Sequence, residues 1–217
     1  MLGFLKNLPT LTKLILGFGV LIAATAIVAL LGMQGLSQVG GQLKVIYTSS
    51  TTALAKLGTA SSNLGLYHDT LLSVGRATRK SDFEEAVRQL PALKSNVIDP
   101  LKEYSGGQMH VSRSNRDETK DFMALDKALK AYFVTAEGAI SAFQDSFAPN
   151  LKEDQRSAMR ELGQLALSVE IADKYGVASR HLNRLLETVQ EVARDLNDDG
   201  QKVAEGRTRL MIIGAVL

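Results

Sequence analysis

Hydrophobic positions repeat every seven residues through the first third of the chain. Two heptad series run from Leu36 to Val74, and Ser50 is their only polar member. The two series comprise Leu36, Val39, Leu43, Ile46, Ser50, Ala53, Leu57, Ala60, Leu64, Tyr67, Leu71 and Val74. Such a repeat predicts a helix that packs nearly parallel to its neighbours through a coiled-coil-like seam. Because the phase is kept across Gly40, Gly41 and Gly58, we expect one helix, although each glycine costs about 1 kcal/mol relative to Ala.

A second helix is predicted from a capping box, Ser81-Asp-Phe-Glu84, in which the hydroxyl and the carboxylate can bond to each other's backbone N–H. Its predicted buried positions are Phe83, Val87, Leu90, Val97 and Leu101. Pro91 and Pro100 each remove a backbone donor and invite a kink. The helix is expected to end at Ser105-Gly-Gly-Gln108, and a polar loop follows to about Asn115.

The third helix carries an apolar stripe at three-four spacing. Its members are Phe122, Leu125, Leu129, Tyr132, Ala136, Ile140, Phe143 and Phe147. The break at Ala148-Pro149-Asn150 ends it, and Asn150 with Glu153 three residues later predicts the N-cap of a fourth helix.

The fourth helix is predicted to run from about Leu151 to Arg209, with an apolar stripe in two parts. The upper part is Leu162, Leu165, Val169 and Ala172, and the lower part is Leu182, Leu185, Val189, Val192, Leu196 and Val203. The phase slips by about one residue between them, near Tyr175-Gly176. This slip predicts a stammer, which is a local change of winding.

Short turns make helices that are neighbours in sequence antiparallel. The pattern therefore predicts an all-α protein, an up-down-up-down antiparallel four-helix bundle. The first and fourth helices are long and are expected to continue into transmembrane helices. The turns near Lys80 and Pro149 then lie together at one end of the bundle, which we call the tip.

An uncharged apolar run from Leu14 to Met33 supplies the ~20 residues that a spanning helix needs. Lys6 and Lys13 precede it, and no further Lys or Arg occurs before Lys44, which places the N-terminus in the cytoplasm. A cleaved signal peptide is the alternative, with Ala24-Thr25-Ala26 as the cleavage site. We favour a retained span, because cleavage there would leave an exposed apolar stub.

A second apolar run, Leu210 to Leu217, directly follows Arg207-Thr-Arg209 and is too short to cross a bilayer. It is either a packed terminal element or, as we favour, the start of a second span. We therefore expect a cytoplasmic N-terminus at 1–13, a transmembrane helix at 14–33, a periplasmic bundle at 34–209 and a truncated second transmembrane helix at 210–217. This order predicts a multi-pass protein of the bacterial inner membrane.

Composition excludes several classes of function. The 217 residues include no Cys, so a disulfide, a thiol nucleophile or a Cys-ligated zinc is excluded. A net charge of +2 without a long basic stretch argues against nucleic acid as a partner. No Glu-x-x-His, glycine-rich phosphate loop or G-x-S-x-G motif occurs, so we expect neither an enzyme nor a cofactor. Asp195, Asp198 and Asp199 alone make a poor cation cage, so no metal is expected.

This arrangement resembles the sensory half of bacterial methyl-accepting chemotaxis proteins, a transmembrane helix followed by a four-helix ligand-binding bundle. The resemblance covers essentially the whole chain and is architectural. It rests on the first span, the helix end from Asn63 to Arg76, the restart at Ser81-Asp82 and the long last helix that enters Leu210. The same module occurs in membrane histidine kinases and cyclic-dinucleotide enzymes. A membrane-anchored helical structural or interaction protein is a further alternative.

The resemblance implies a homodimer around the first and fourth helices and a small ligand bound near the tip. Binding would shift the last helix along its axis and so reach a cytoplasmic kinase and adaptor through the second span. Aspartate and serine receptors of the family hold the ligand carboxylate with arginines along the distal first helix. The corresponding stretch here offers Asn63, Tyr67 and His68, and its arginines, Arg76 and Arg79, come only near the turn.

The predicted ligand-lining set is Asn63, Tyr67, His68, Arg160 and Gln164. Arg160 and Gln164 lie four residues apart on one helix face, and Arg160 can bind a carboxylate or another oxyanion with both arms of its guanidinium. An anion or organic acid is therefore a candidate ligand. Each residue also has a structural interpretation: Tyr67 as core, His68 as an interface or solvated residue, and Arg160 with Gln164 as a wet helix face.

Overall fold

The computed structural model describes residues 9–45 and 50–216, and these are helical nearly throughout. The chain divides into two compact units, Met1–Ile46 with Leu196–Leu217 and Tyr47–Asp195. The elements are α1 (Thr10–Val45), α2 (Thr52–Arg76), α3 (Lys80–Ser105), α4 (Glu118–Ser146), α5 (Glu153–Leu165), a π-helical segment (Ala166–Ile171) and α6 (Ala172–Val216). An isolated bridge joins Val111 to Asp117, and the described ranges contain no strand. The predicted all-α class is confirmed.

The larger unit, 47–195, is the four-helix bundle, with α5, the π-helical segment and the first part of α6 as its fourth helix. Cross-helix pairs show that neighbours run antiparallel. Lys56 near the start of α2 pairs with Glu103 near the end of α3 at 3.3 Å. The Tyr104 hydroxyl at the end of α3 donates to Glu118 at the start of α4, at 3.0 Å.

The seven-residue seam forms the α2 side of the core. Within the described residues, every seam position from Ser50 to Val74 is buried. Both α1, across Gly40-Gly41, and α2, across Gly58, remain helical as predicted. The continuity of the first helix through residues 46–49 and the side chains of the earlier seam positions lie outside the described residues.

Both predicted N-caps are wrong by two residues. The N-cap position of α3 is Arg79, whose side chain makes no capping hydrogen bond; its guanidinium bonds instead to both oxygens of Asp82, at 2.9 and 3.0 Å, and holds that carboxylate in the first turn. A carboxylate is favourable there because the helix N-terminus is electropositive. Ser81 lies inside the helix, within 3.3 Å of Asp82 Oδ1. Lys152, not Asn150, caps α5, and its N–H donates to Gln155 Oε1 at 3.1 Å.

The upper part of the fourth helix buries a different face from the predicted one. Leu162, Leu165 and Val169 are 57%, 61% and 62% exposed, and the buried residues are Gly163, Leu167 and Ile171. The phase slip exists, but it is a π-helical turn at Ala166–Ile171, and the chain is regular α-helix at Tyr175-Gly176. A π turn contains about one residue more than an α turn, which shifts the numbering of the buried face.

Glycine decides the face that α5 presents to α4. A Cβ on Gly163 would lie 2.7–2.9 Å from three ring carbons of Phe143, so a side chain there is excluded without movement of the ring. The lower part of the stripe is confirmed, since Leu182, Leu185, Val189 and Val192 are buried.

The other unit contains all of α1 and the second half of α6. Within the described residues, one helix is long and apolar enough to cross a membrane, at Thr10–Ile27, with a mean hydropathy of 1.9. A signal sequence near an N-terminus meets the same criterion. Helix α1 continues past Met33 to Val45, and α6 is helical as far as Val216, so both apolar runs are continuous with the helices next to them.

Candidate functional site

A polar cavity of about 290 Å³ lies at the tip, between the turn from α2 to α3 and the turn from α4 to α5. We call it the tip pocket. It is lined by Thr78, Lys80, Ser146, Phe147, Glu153, Arg156, Ser157 and Arg160. Three of these side chains are cationic and one is anionic, so the pocket carries an excess of positive charge.

Two arginines one helical turn apart form the cationic wall of the pocket. The Arg160 Nη2 donates to the Thr78 carbonyl at 3.4 Å, and its guanidinium lies 5.0 Å from the centre of the Phe147 ring. The Arg156 Nη2 lies 3.4 Å from the carbonyl oxygens of Ala148 and Pro149. These contacts hold both side chains against the tip turns through one nitrogen each.

The Nε–H groups of Arg156 and Arg160 are buried and have no hydrogen-bond partner among the described residues. A buried donor left unpaired costs about 1–3 kcal/mol. Arg156 lies at the end of the first turn of α5, which begins at Glu153, and the helix N-terminus there also favours negative charge. An oxyanion in the tip pocket would balance the positive charge of Arg156, Arg160 and Lys80, and it would bond to the buried Nε–H groups only after the guanidinium groups turn toward it. The ion pair of Lys80 with Glu84 is exposed and 3.6 Å long.

The structure does not bring the five predicted lining residues together. Arg160 lines the tip pocket, whereas Gln164, one turn further along, is exposed and does not line it. The Asn63 side chain donates to the Thr59 carbonyl of its own helix at 2.8 Å. Tyr67 and His68 lie below the pocket: eight residues of helix separate His68 from the end of α2 at Arg76, which is ~12 Å.

His68 joins three helices at the centre of an aromatic cluster. Its ring stacks on that of Tyr175 of α6, with centroids 3.9 Å apart and planes at 5°, and its Nδ1 lies 3.2 Å from the hydroxyl of Tyr132 of α4. Burial lowers the pKa of His68, and the nearby Asp69 carboxylate opposes that effect. The neutral imidazole is therefore favoured in the folded protein.

Tyr67 is a core residue, 2% exposed. Its ring packs edge-on against Tyr132 at 5.8 Å and Phe133 at 5.0 Å. Burial, with a smaller contribution from Glu137, raises the pKa of the Tyr67 hydroxyl to about 12. Tyr67 therefore lies where its interpretation as a core residue predicts, and it does not line the tip pocket.

Sequence reasoning assigned Arg160 to a site but missed the other six polar residues of the pocket: Thr78, Lys80, Ser146, Glu153, Arg156 and Ser157. Arg156 carried a usable signal, because it stands four residues before Arg160 and so shares its helix face. Lys80 was placed at the tip by its turn but was not assigned to a site. Thr78 contributes its backbone carbonyl to Arg160, and a backbone acceptor leaves no trace in the pattern of side chains.

Residues 7–204 match the family model of the four-helix-bundle sensory module for signal transduction. No curated protein and no solved structure shows a significant match to the chain. The matched range covers the first apolar run, all four helices of the bundle and most of α6. The chain therefore belongs to the family of four-helix-bundle sensory modules for signal transduction, as its resemblance to the sensory half of methyl-accepting chemotaxis proteins predicts.

Proposed function

We propose that this chain is the sensory half of a transmembrane chemoreceptor that binds a small anion in the tip pocket. The observation that carries the proposal is the pair of buried, unpartnered Nε–H donors on Arg156 and Arg160, set in a cavity with excess positive charge. A planar guanidinium binds carboxylates and other oxyanions with two parallel hydrogen bonds. A small organic acid or an inorganic oxyanion fits this chemistry.

The position of the two arginines on the fourth helix suggests how a signal would pass from the tip pocket toward the membrane. Arg156 and Arg160 belong to α5, which continues through the π-helical segment into α6 and so to Val216. The fourth helix can occupy two positions along its axis, and an anion held between α5 and the Thr78 turn would bind the protein with a different affinity in each. The ligand shifts the populations of these two conformations only by that difference in affinity. The resulting displacement of the last helix is the proposed signal to a cytoplasmic kinase.

Membrane placement is proposed from the two apolar runs and the family. Helix α1 carries the candidate span at Thr10–Ile27, with Lys6 before it and Lys13 in its first turn, and these positive charges favour a cytoplasmic N-terminus and a periplasmic bundle. Because the chain has no Cys, a single Cys at Gln108 can be labelled without background. We expect a membrane-impermeant maleimide to label Gln108→Cys in cells with a permeabilised outer membrane. Labelling only after complete lysis would contradict the placement.

A second copy of this chain is the proposed partner of the exposed face of α5. Leu162, Leu165 and Val169 form an apolar stripe that the bundle core leaves uncovered. The family implies a dimer around the first and fourth helices, and this stripe lies on the fourth. Apolar side chains at this spacing match the seam of a helix pair.

The ligand is tested by thermal unfolding of the whole chain in detergent, with phosphate, sulfate and small mono- and dicarboxylates as probes. A binder at a hundred times its dissociation constant should stabilise the fold by ~2.7 kcal/mol. Arg160→Gln should abolish that response while helicity is unchanged. Arg88→Gln is the matched control, since Arg88 is exposed on α3 and pairs with Glu85. An equal response in Arg160→Gln would remove the tip pocket from ligand binding.

A further inference from the structure

The loop from α3 to α4 contains a short, internally bonded hairpin at Val111–Asp117. The Ser112 N–H donates to the Arg116 carbonyl at 2.8 Å, and the Asn115 N–H donates to the Ser112 carbonyl at 2.9 Å. Asn115 adopts a left-handed backbone with φ 68°, a conformation that Asn tolerates better than most residues. The Glu118 N–H donates to the His110 carbonyl at 3.1 Å, and this bond connects the residue before the hairpin to the start of α4. The loop therefore has a defined shape.

This hairpin contacts α6 through charged and hydroxyl groups. The Arg113 backbone N–H donates to Asp195 Oδ2 at 2.7 Å, and its guanidinium donates to the Asp195 carbonyl at 3.1 Å. The Arg116 guanidinium donates to Glu187 at 3.2 Å, and its Nε lies 3.6 Å from Glu191. The hydroxyl of Ser114 also donates to Glu191.

The first turn of α4 adds a buried anchor to the same part of α6. Asp121 is 6% exposed, and its Oδ2 accepts from the Thr188 hydroxyl at 2.7 Å. Its Oδ1 lies 2.8 Å from the Nε of Arg184. The Thr188 hydroxyl also bonds to the Arg184 carbonyl, so both polar groups of this contact are satisfied.

All of these contacts lie on one face of α6. The residues involved are Arg184, Glu187, Thr188, Glu191 and Asp195. They span eleven residues, ~16 Å along the helix axis. Hydrogen bonds weaken steeply outside a narrow range of distance and angle. A shift of α6 along its axis past the loop would therefore strain every one of these bonds together, whereas a sideways breathing motion would strain only some.

We propose that the hairpin 111–117 is an electrostatic clasp on residues 184–195 of α6, which resists axial displacement of that helix and is weakened by ionic strength. The proposal uses the proposed function only in taking α6 as the moving element. Arg113 and Arg116 face Glu187, Glu191 and Asp195, so opposite charges hold the two parts. Most of these pairs are partly exposed, and salt screens such pairs because the Debye length falls from about 10 Å to 3 Å between 0.1 and 1 M.

The clasp is tested by hydrogen exchange of the whole 217-residue chain in phosphatidylcholine nanodiscs. In wild type, the backbone amides of 184–195 should exchange about two- to tenfold faster in ~1 M than in ~0.05 M KCl, since exchange reports local opening. Arg116→Gln should show the fast rate already at low salt. Lys130→Gln is the control: it removes the same charge and an exposed ion pair with Asp126 on α4, away from α6.

A covalent version of the clasp provides a second measurement. Ser114 and Glu191 are in direct contact, and the chain has no Cys of its own, so a short thiol-reactive cross-linker can join the double variant S114C/E191C in the clasped register. Cross-linking should remove the salt dependence of exchange, and adding Arg116→Gln should slow the cross-linking several-fold. Equal exchange in wild type and Arg116→Gln, or an equal effect of Lys130→Gln, would overturn the clasp. Neither measurement needs a ligand, so an empty tip pocket would overturn only the proposed function.

Discussion

The two ends of the bundle differ in how their arginines are bonded, although the end with the hairpin also holds one buried nitrogen without a partner among the described residues, His110 Nε2. At the clasp, the buried carboxylate of Asp121 has two partners, and both arginines of the hairpin contact α6. At the tip, Arg156 and Arg160 keep buried Nε–H groups without a partner among the described residues. A site prepared for a ligand has to hold donors in place before the ligand arrives, and a structural contact has no such requirement. The comparison therefore separates the proposed ligand-binding end from the end of the proposed clasp.

The same contrast appears in packing along the fourth helix. Below the π-helical segment, the apolar stripe faces the core, as at Leu185, which is fully buried. Above it, the large apolar residues face outward, and a glycine faces the core. The lower part therefore contributes to the stability of one bundle, and the upper part is available to a second copy.

The largest expected effect is a loss of folding stability when a core residue in the lower part of the fourth helix is truncated. Leu185→Ala should lower the free energy of unfolding by about 2–5 kcal/mol, because it leaves a cavity in a fully buried site. Leu162→Ala is the matched control in the upper part and should change it by less than about 0.5 kcal/mol at dilute protein concentration. Urea unfolding of both variants checks this. Equal losses would mean that the upper stripe is core after all.

Close packing of α5 on α4 is tested by adding one methyl group. Gly163→Ala should cost about 1–3 kcal/mol, because the new Cβ would overlap the Phe143 ring. Gly138→Ala is the control within α4: its Cβ would meet no atom within 4 Å, so higher helix propensity should stabilise the fold by up to about 1 kcal/mol. Thermal unfolding distinguishes the two signs. Stabilisation by both substitutions would show that α5 lies further from Phe143.

Association through the upper stripe is tested with a charge. Leu165→Glu should weaken self-association at least tenfold in sedimentation equilibrium, because a carboxylate buried at an apolar interface loses its hydration. Met123→Glu serves as the control, since Met123 is also exposed but lies on α4. Helicity should be unchanged in both. Dimers of unaltered affinity in Leu165→Glu would place the interface elsewhere.

The smallest effect concerns acid. Since burial holds the pKa of His68 below its ordinary 6.5, the unfolded chain binds the proton more readily than the folded chain. Stability contributed by this group is therefore present above pH 6.5 and is lost as the pH falls toward the folded pKa. His68→Phe keeps a ring that can stack on Tyr175 but cannot titrate. Its melting temperature should fall less than that of wild type between neutral and mildly acid pH.

Periodicity predicted the bundle because the seam of α2 and the stripe of α4 are core faces that repeat without interruption. It failed on α5 because Leu162 and Leu165 are more apolar than Gly163, and sequence alone does not distinguish a core face from an exposed apolar face. The predicted cap of α3 failed on a local detail that the motif does not show: the helix already begins at Lys80, so Ser81 lies inside it, and Arg79 pairs with Asp82. Among the pocket residues, Arg160 was accessible to sequence reasoning through its chemistry.

The clasp was beyond the reach of sequence reasoning. Arg116 and Glu187 are 71 residues apart in the chain, and Arg113 and Asp195 are 82 apart. Their pairing depends on the height at which the α3–α4 loop meets α6, which the helical pattern does not specify. In the sequence, Asp195 stands out only as one of three neighbouring carboxylates; in the structure it forms an ion pair with Arg113.

The π-helical turn at Ala166–Ile171 determines how a change in chain length would alter the register of the fourth helix. Gly163 lies eight residues before Ile171, and both are buried, whereas an unbroken α-helix returns to the same side after seven residues. The π turn thus accommodates one extra residue. In a regular α-helix, that residue would rotate the buried face of α5 by ~100° about the helix axis. A chain shortened by a single codon in this stretch would keep glycine opposite Phe143 and would form an uninterrupted helix.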